Sequence, residues 1–328
     1  MYIPTSLSLE DELPHEPSDA PLWSENYLQQ AYCPDAGIGV YFHLCHSPRE
    51  RLWEQEFVVY LPDDRFLVAN AVSQGVVDNG IYTSNISFHC DEPFEQWTKR
   101  YVGGARLVTG DELRAGPLTD GAHVPVEFEM TTTAMGPAFE FENMPDAIWA
   151  TRHYEQHHEV AGALRYGDEQ LDFTGTGLRE HSWGPRDYTL FGNTVWLHGQ
   201  FPDSGRTFMV VHVPGVPPAE PFDYALIGDR TSVRRATVSG TLPTVATVEE
   251  AEQGEYTLRL ESSRETAVIS GRIISAARMA FRGPNGISLG SHRGPDINHV
   301  YVEAQTRYEW NGETGYGLSE RSLQMLDR

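Results

Sequence analysis

The chain holds 328 residues, with 47 acidic against 24 basic side chains and a formal net charge of −23. That balance excludes wrapping nucleic acid or resting on an anionic membrane, since both need a positive face and no basic cluster is longer than Arg234–Arg235. At 40% hydrophobic and 22% charged the composition is that of a globular protein, and the length suits two domains or one large β-rich unit.

Residues 1–22 carry Pro4, Pro14, Pro17 and Pro21 and read as an extended arm lying on the fold. Met1–Glu16 is acidic and has neither a charged n-region nor an apolar h-region, and no apolar run reaches the ~18 residues of a membrane span. A cytoplasmic location is expected. Beyond the arm the apolar period is two rather than 3.6. Val40–Cys45, Phe57–Leu61 and Phe66–Val72 are short, rich in β-branched and aromatic residues, and bounded by turn formers. Phe94–Tyr101 reads as one or two helical turns. In Val124–Met130 apolar residues alternate with Pro or Glu, as a half-buried strand requires. The loop Phe141–Trp149, with Asn143 and Pro145, divides the chain into domains 1–148 and 149–328. His153, Glu155 and His157 then share a strand face, read as the wet one. Hairpin turns follow at Gly167-Asp168, Asp203-Ser204-Gly205 and Gly228-Asp229, between strands that include Val195–Phe201 and Phe208–Val213. Thr247–Gln253 reads as a short helix, and Asn311-Gly312 is the strongest hairpin signal. Recurrent strands with few helices predict an all-β, mainly antiparallel fold.

Several chemistries are disfavoured. Lys99 is the only lysine and follows no glycine-rich loop, which argues against Schiff-base and P-loop mechanisms. Cys33, Cys45 and Cys90 have no CxxC spacing and fit free thiols in a reducing compartment. Ser182 lacks the G-x-S-x-G elbow, because Glu180 stands at the first glycine position. Gly175-x-Gly177 lacks the third glycine of a dinucleotide loop. His153, His157 and His158 lie near Glu155 and Glu159 but without an H-E-x-x-H spacing. No metal and no cofactor are expected.

The densest chemistry lies in Gly175-Thr176-Gly177-Leu178-Arg179-Glu180-His181-Ser182-Trp183-Gly184-Pro185-Arg186-Asp187. This segment resembles the signature of the carotenoid hydratase (hydroxyneurosporene synthase) and tocopherol cyclase-like superfamily, G-x-G-x-[RH]-D-H-[SN]-W-G, with Glu180 where the family usually carries Asp. Tyr154-Glu155-Gln156, Arg307–Trp310 and Gly315–Glu320 also resemble that superfamily. Asp11, His15, Trp23-Ser24-Glu25, Pro93, Trp97 and Tyr101 look like the first domain of its uncharacterised relatives. The resemblance implies two lipocalin-like β-barrel or sandwich domains around an apolar cavity. It also implies a cofactor-independent lyase or isomerase, hydratase- or cyclase-like, acting by acid catalysis on a hydrophobic isoprenoid-like (terpenoid) or polycyclic small molecule.

In that reading Glu180 donates the proton, since burial keeps a carboxyl neutral near pH 7. His181 and Asp187 support it, and Trp183 stabilises the cation over its ring face. Arg179, Arg186, Tyr188, Trp196 and His198 are the further candidates for the substrate site. An extended Glu180–Gly184 puts Glu180 and Ser182 on one face and His181 and Trp183 on the other. Three alternatives remain open: a structural corner held by ion pairs, a binding protein for an apolar metabolite, and a pericyclase-type enzyme that folds its substrate. A homodimer is compatible with the sequence.

Overall fold

The structure, a computed structural model, describes residues 6–49, 51–74, 80–116, 122–142, 144, 150–217, 219–282, 286–289 and 297–325. Two compact units divide the chain, the first reaching Arg186 and the second built on Asp187–Arg328.

The first unit contains β1 (Trp23–Cys33), β2 (Ile38–Ser47), β3 (Leu52–Leu61), β4 (Arg65–Gln74), β5 (Ile81–Tyr82), β6 (Ile86–Glu92), β7 (Gln96–Thr109), β8 (Ala122–Ala134), β9 (Phe139–Glu140), β10 (Arg152–Tyr166) and β11 (Glu169–Pro185). Their antiparallel order runs β4-β3-β2-β1-β11-β10-β8-β7, and β7 pairs back onto β4. Eight strands therefore form a closed ring, with β5 and β6 continuing the sheet from β7 and β9 pairing on β10. A ring of this size has an interior that side chains can fill. Phe42, Phe57, Phe128 and Leu164 fill one end of it.

The second unit repeats the device with β12 (Val195–Phe201), β13 (Arg206–Val213), β14 (Phe222–Gly228), β15 (Val233–Val238), β16 (Glu255–Ser262), β17 (Thr266–Arg282), β18 (Gly286–Leu289), β19 (Ile297–Trp310) and β20 (Glu313–Gln324). Its order is β16-β15-β14-β13-β12-β20-β19-β17, closed by β16 pairing with β17. Leu197, Phe208, Tyr308 and Trp310 lie in its core. The fold is thus the expected pair of antiparallel β domains. Asn311 and Gly312, at φ 52° and 81°, make the turn between β19 and β20, as the right-handed twist of a two-residue hairpin demands.

Three expectations are corrected. Phe94–Tyr101 is not helical: Phe94 is in the turn before β7, and Trp97, Lys99 and Tyr101 alternate inward from that strand, between β6 and β8. Tertiary pairing on both edges overrides the local preference. His153, Glu155 and His157 do share a strand face, but that face is buried rather than wet. The division expected at 148/149 also shifts, because β10 and β11 close the first ring and carry it to Arg186. Of that loop, Asn143 and residues 145–149 lie outside the described residues.

The motif glycines have a packing role here. A Cβ on Gly177 would sit 2.2 Å from the Gln30 carbonyl oxygen, and one on Gly175 would sit 2.1 Å from that of Tyr32. Both meet backbone that cannot yield, so β11 approaches β1 closely only without side chains there. Gly177→Ala is expected to destabilise the first unit by about 1–3 kcal/mol. An unchanged urea midpoint for this variant would remove the packing explanation.

Candidate functional site

β11 is paired with β10 over residues 169–183 and with β1 over residues 176–185, so the motif has a strand on each edge. Its side chains alternate, so Arg179, His181 and Trp183 enter the ring while Glu180 and Ser182 point outward. Both sets are buried. The motif therefore serves two polar clusters, one on each face of the same strand.

The inner cluster is closed by the arm. A short 3-10 helix, Leu9–Glu12, places the fully buried Glu12 against Arg179. Arg179 ion-pairs with Glu12 Oε1 and donates from Nη1 to Tyr154 Oη at 3.2 Å, while Tyr154 donates to Glu12 Oε1 at 2.5 Å. The Phe94 amide and Trp97 Nε1 donate to Glu12 Oε2 at 2.8 and 2.9 Å. Burial opposes the Glu12 charge, but Arg179 and these donors hold its carboxyl below the usual range. One layer further out, Glu25 Oε1 lies 2.8 Å from His15 Nδ1 and 2.9 Å from His181 Nε2. Burial again works against the charge, yet the two histidines prevail and hold Glu25 at about 2. Trp183 stacks on His15 at 3.6 Å and 15°. The donor atoms of His15, Glu25 and His181 lie within 4.8 Å of one another, a set able to hold a metal ion.

The outer cluster follows the cross-strand register. Glu56, His43, Leu28, Glu180 and Glu155 form one row across β3, β2, β1, β11 and β10. Glu54, Cys45, Asn26, Ser182 and His153 form the adjacent row. Carboxyl groups so placed are short of water. Burial raises Glu56 to about 8, and burial with the neighbouring Glu56 charge raises Glu54 to about 8. Burial also raises Glu180, partly offset by Arg186 and Ser182. His43 Nε2 faces Asn26 Oδ1 at 3.2 Å and Nδ1 faces Glu56 Oε2 at 2.9 Å. Burial lowers His43 to about 4. At neutral pH, Nε2–H then donates to Asn26, and a protonated Glu56 donates to Nδ1.

Glu180 Oε1 is buried without a hydrogen-bond partner, with His153 Nδ1 3.5 Å away. His153 Nε2 is 2.9 Å from Glu155 Oε1, and Arg186 donates to Ser182 Oγ at 2.5 Å. The result is a buried row in which Glu54 and Glu56 stay protonated to about pH 8 and burial shifts Glu180 in the same direction.

Of the residues singled out from sequence, Glu180 and Arg186 belong to this outer face, and Arg179, His181 and Trp183 to the inner one. Asp187 caps a 3-10 helix, Tyr188–Leu190, by accepting from the Thr189 amide at 3.0 Å and its hydroxyl at 2.6 Å. Tyr188 is buried in that helix. In the second unit Trp196 and His198 share a buried face of β12, with Trp196 Nε1 unpartnered. Sequence reading did not single out Glu12, His43, Glu54 or Glu56 as site residues. The signal for two of them was polar residues at period two among apolar neighbours, as in Trp53-Glu54-Gln55-Glu56-Phe57.

A pH prediction follows. Glu54 and Glu56 bind protons more tightly folded than unfolded, so the stability they contribute is complete at low pH and is lost as pH rises towards 8. The buried histidines, with depressed values, act in the opposite sense below about 6.5. Between pH 6.5 and 8 the carboxyls dominate, and stability should fall by about 2 kcal/mol per group. Glu56→Gln should flatten that slope in urea unfolding; an equal slope in both proteins would contradict the assignment.

Comparison with known structures places these features in a common fold. Kievitone hydratase from Nectria haematococca superposes with a TM-score of 0.58 at 11% identity, covering 92% of this chain and 89% of that one. A protein designated AttH from Nitrosomonas europaea gives 0.56 at 12%, covering 94% and 97%. CghA gives 0.53 at 11%, covering 94% and 90%. At such identities the likeness is one of fold, and it agrees with the lipocalin-like β domains expected from the motif. No curated protein matches the chain in sequence. The profile of one family matches residues 8–324, nearly the whole chain, and the protein is a member of that family, DUF7064, a domain of unknown function.

Proposed function

We propose that this protein is a hydratase- or cyclase-like lyase or isomerase that protonates a carbon–carbon double bond of a hydrophobic, isoprenoid-like or polycyclic substrate, with Glu180 as the acid. The observation that carries the reading is the buried Glu180 carboxyl, its charge disfavoured by burial and its Oε1 without a hydrogen bond among the described residues. The kievitone hydratase fold supports the same reaction class.

The step balances with the residues of this face. The Glu180 O–H bond breaks as a C–H bond forms, which leaves a carbocation on the substrate and a carboxylate on Glu180. Arg186 offsets part of the carboxylate's burial penalty, so Glu180 is a stronger acid than desolvation alone would leave it. Water, or a hydroxyl of the substrate, then forms the C–O bond, and its proton returns to Glu180 directly or through His153. Burial and the Arg186 charge keep His153 neutral and able to accept that proton. Trp183 lies on the opposite face of β11 and has no part in stabilising a cation formed beside Glu180.

The test is solvent-deuterium incorporation by wild type and Glu180→Gln in D₂O, across a panel of polyenes, terpenoid alcohols and polycyclic phenols. The amide is isosteric with the neutral acid, so folding is retained. Wild type should place deuterium on carbon, and the variant should be slower by about 10²–10⁴-fold. Conversion without label would favour a pericyclic route. Quenching of tryptophan fluorescence with the ligand's mass unchanged would favour a carrier, and equal turnover by the variant would remove Glu180 from the mechanism.

A further inference from the structure

The inner cluster contains an arrangement that acid catalysis on the outer face does not use. His15 of the arm, Glu25 of β1 and His181 of β11 bring three donor atoms within 4.8 Å of one another, with Glu25 Oε1 2.8 Å from His15 Nδ1 and 2.9 Å from His181 Nε2. Donors bound at about 2.0–2.1 Å to a common ion lie about 3 Å apart in these coordination geometries.

The hydrogen bonds around the trio decide which way the imidazole lone pairs point. Tyr154 Oη has one proton, and Glu12 Oε1 at 2.5 Å takes it. The Arg179 guanidinium donates into the same oxygen. The 3.1 Å contact between His181 Nδ1 and Tyr154 Oη is then made by an N–H on Nδ1, which leaves the lone pair on Nε2, facing Glu25. His15 is arranged in parallel. Its Nε2 faces Asp11 Oδ1 at 3.3 Å, an acceptor, which leaves the lone pair on Nδ1, facing the same Glu25 oxygen. Two imidazole nitrogens and a carboxylate oxygen at these distances need a cation among them, either the protons of imidazole N–H groups donating to Glu25 or a single metal ion. Outer nitrogens tied to a carboxylate and a phenol oxygen are also the supporting contacts that orient metal-binding histidines.

The trio is held in place before any ion arrives. The His15 amide donates to both Glu25 oxygens at 3.1 Å. Trp183 stacks on His15 at 3.6 Å, and Tyr27 stacks on His181 at 4.3 Å. The Tyr27 hydroxyl is buried without a well-aligned hydrogen bond. Glu25 and His181 are almost fully buried, whereas the His15 side chain keeps 21% of its surface exposed and gives an ion its way in.

We infer that His15, Glu25 and His181 form a binding site for a first-row divalent cation, Zn²⁺ foremost, which fastens the N-terminal arm to the first ring. Two nitrogens and one carboxylate oxygen suit such an ion and leave a fourth position for water. The site is independent of the Glu180 reading, and its test measures binding rather than turnover.

The experiment is a titration of metal-free protein with ZnCl₂ against a chromophoric chelator, followed by Co²⁺ substitution read from its visible d–d bands. His15→Ala is the informative variant, because His15 is the least buried of the three and belongs to the arm, so its loss spares the ring. Asp11→Asn tests the supporting contact, and His212→Ala, in the second unit, controls for adventitious binding by a histidine of the same partial exposure. Wild type and His212→Ala should bind one equivalent. His15→Ala should bind at least about 100-fold more weakly, and Asp11→Asn about 10–100-fold more weakly. Failure of wild type to take up an equivalent of Zn²⁺ or Co²⁺ would overturn the site, and so would equal affinity in His15→Ala. Either result would mean that protons alone bridge Glu25 and the two imidazoles.

Discussion

Closure of the first ring gives β11 a neighbour on each edge, and everything notable about its motif follows from that. A strand paired on both sides, with both faces buried, cannot present one polar face to water. Polar atoms from Thr176 to Gly184 must therefore find their partners inside the protein, and Glu180 Oε1 is left without a hydrogen bond among the described residues. The alternation of the backbone sends Arg179, His181 and Trp183 one way and Glu180 and Ser182 the other. A single thirteen-residue segment thus organises two clusters of opposite electrostatic character.

The inner cluster is ionised. Glu12, Arg179 and Glu25 carry charges that burial alone would suppress, and they keep them because each is paired or receives several hydrogen bonds. Such an arrangement is a weak source of net stability but a strong source of specificity, since removing one partner strands the other. The arm depends on it: Glu12 is held by Arg179, Tyr154, Phe94 and Trp97, and His15 by Glu25 and Trp183. The outer cluster resists ionisation. Glu54 and Glu56 have few cationic neighbours, so burial holds their protons to about pH 8, and burial raises Glu180 in the same direction against the pull of Arg186. Proton donation belongs naturally to that face, and cation binding to the ionised one.

The resemblance to hydratases rests on a motif, and the fold gives that motif a physical meaning. Its glycines permit the close approach of β1, its arginine anchors the arm, and its histidine belongs to the Glu25 layer. Its acid stands apart on the far face. Replacement of the usual Asp by Glu180 keeps a carboxyl in the cross-strand row between Leu28 and Glu155. The substrate class and the reaction are proposals tied to that carboxyl, and the fold itself is compatible with other chemistries.

The sequence by itself determined the architecture. Period-two patterning, β-branched and aromatic content, and turns such as Asn311-Gly312 and Gly167-Asp168 are local properties, and local geometry follows from them. It also located the decisive segment, Gly175–Asp187, and the separation of Glu180 from Trp183, because strand alternation needs no tertiary information. Only the tertiary structure decided what each residue meets. Phe94–Tyr101 became turn and strand because neighbours paired with it, and His153 and His157 lost their water because their face is covered. Asp187 proved to be a helix cap. The arm reads from sequence as lying on the fold, but only the tertiary structure shows that it delivers Glu12 to Arg179 across 167 positions of chain. The pairs His43–Glu56 and Glu25–His181 depend on strand register and ring closure, which set long-range contacts that no local pattern encodes.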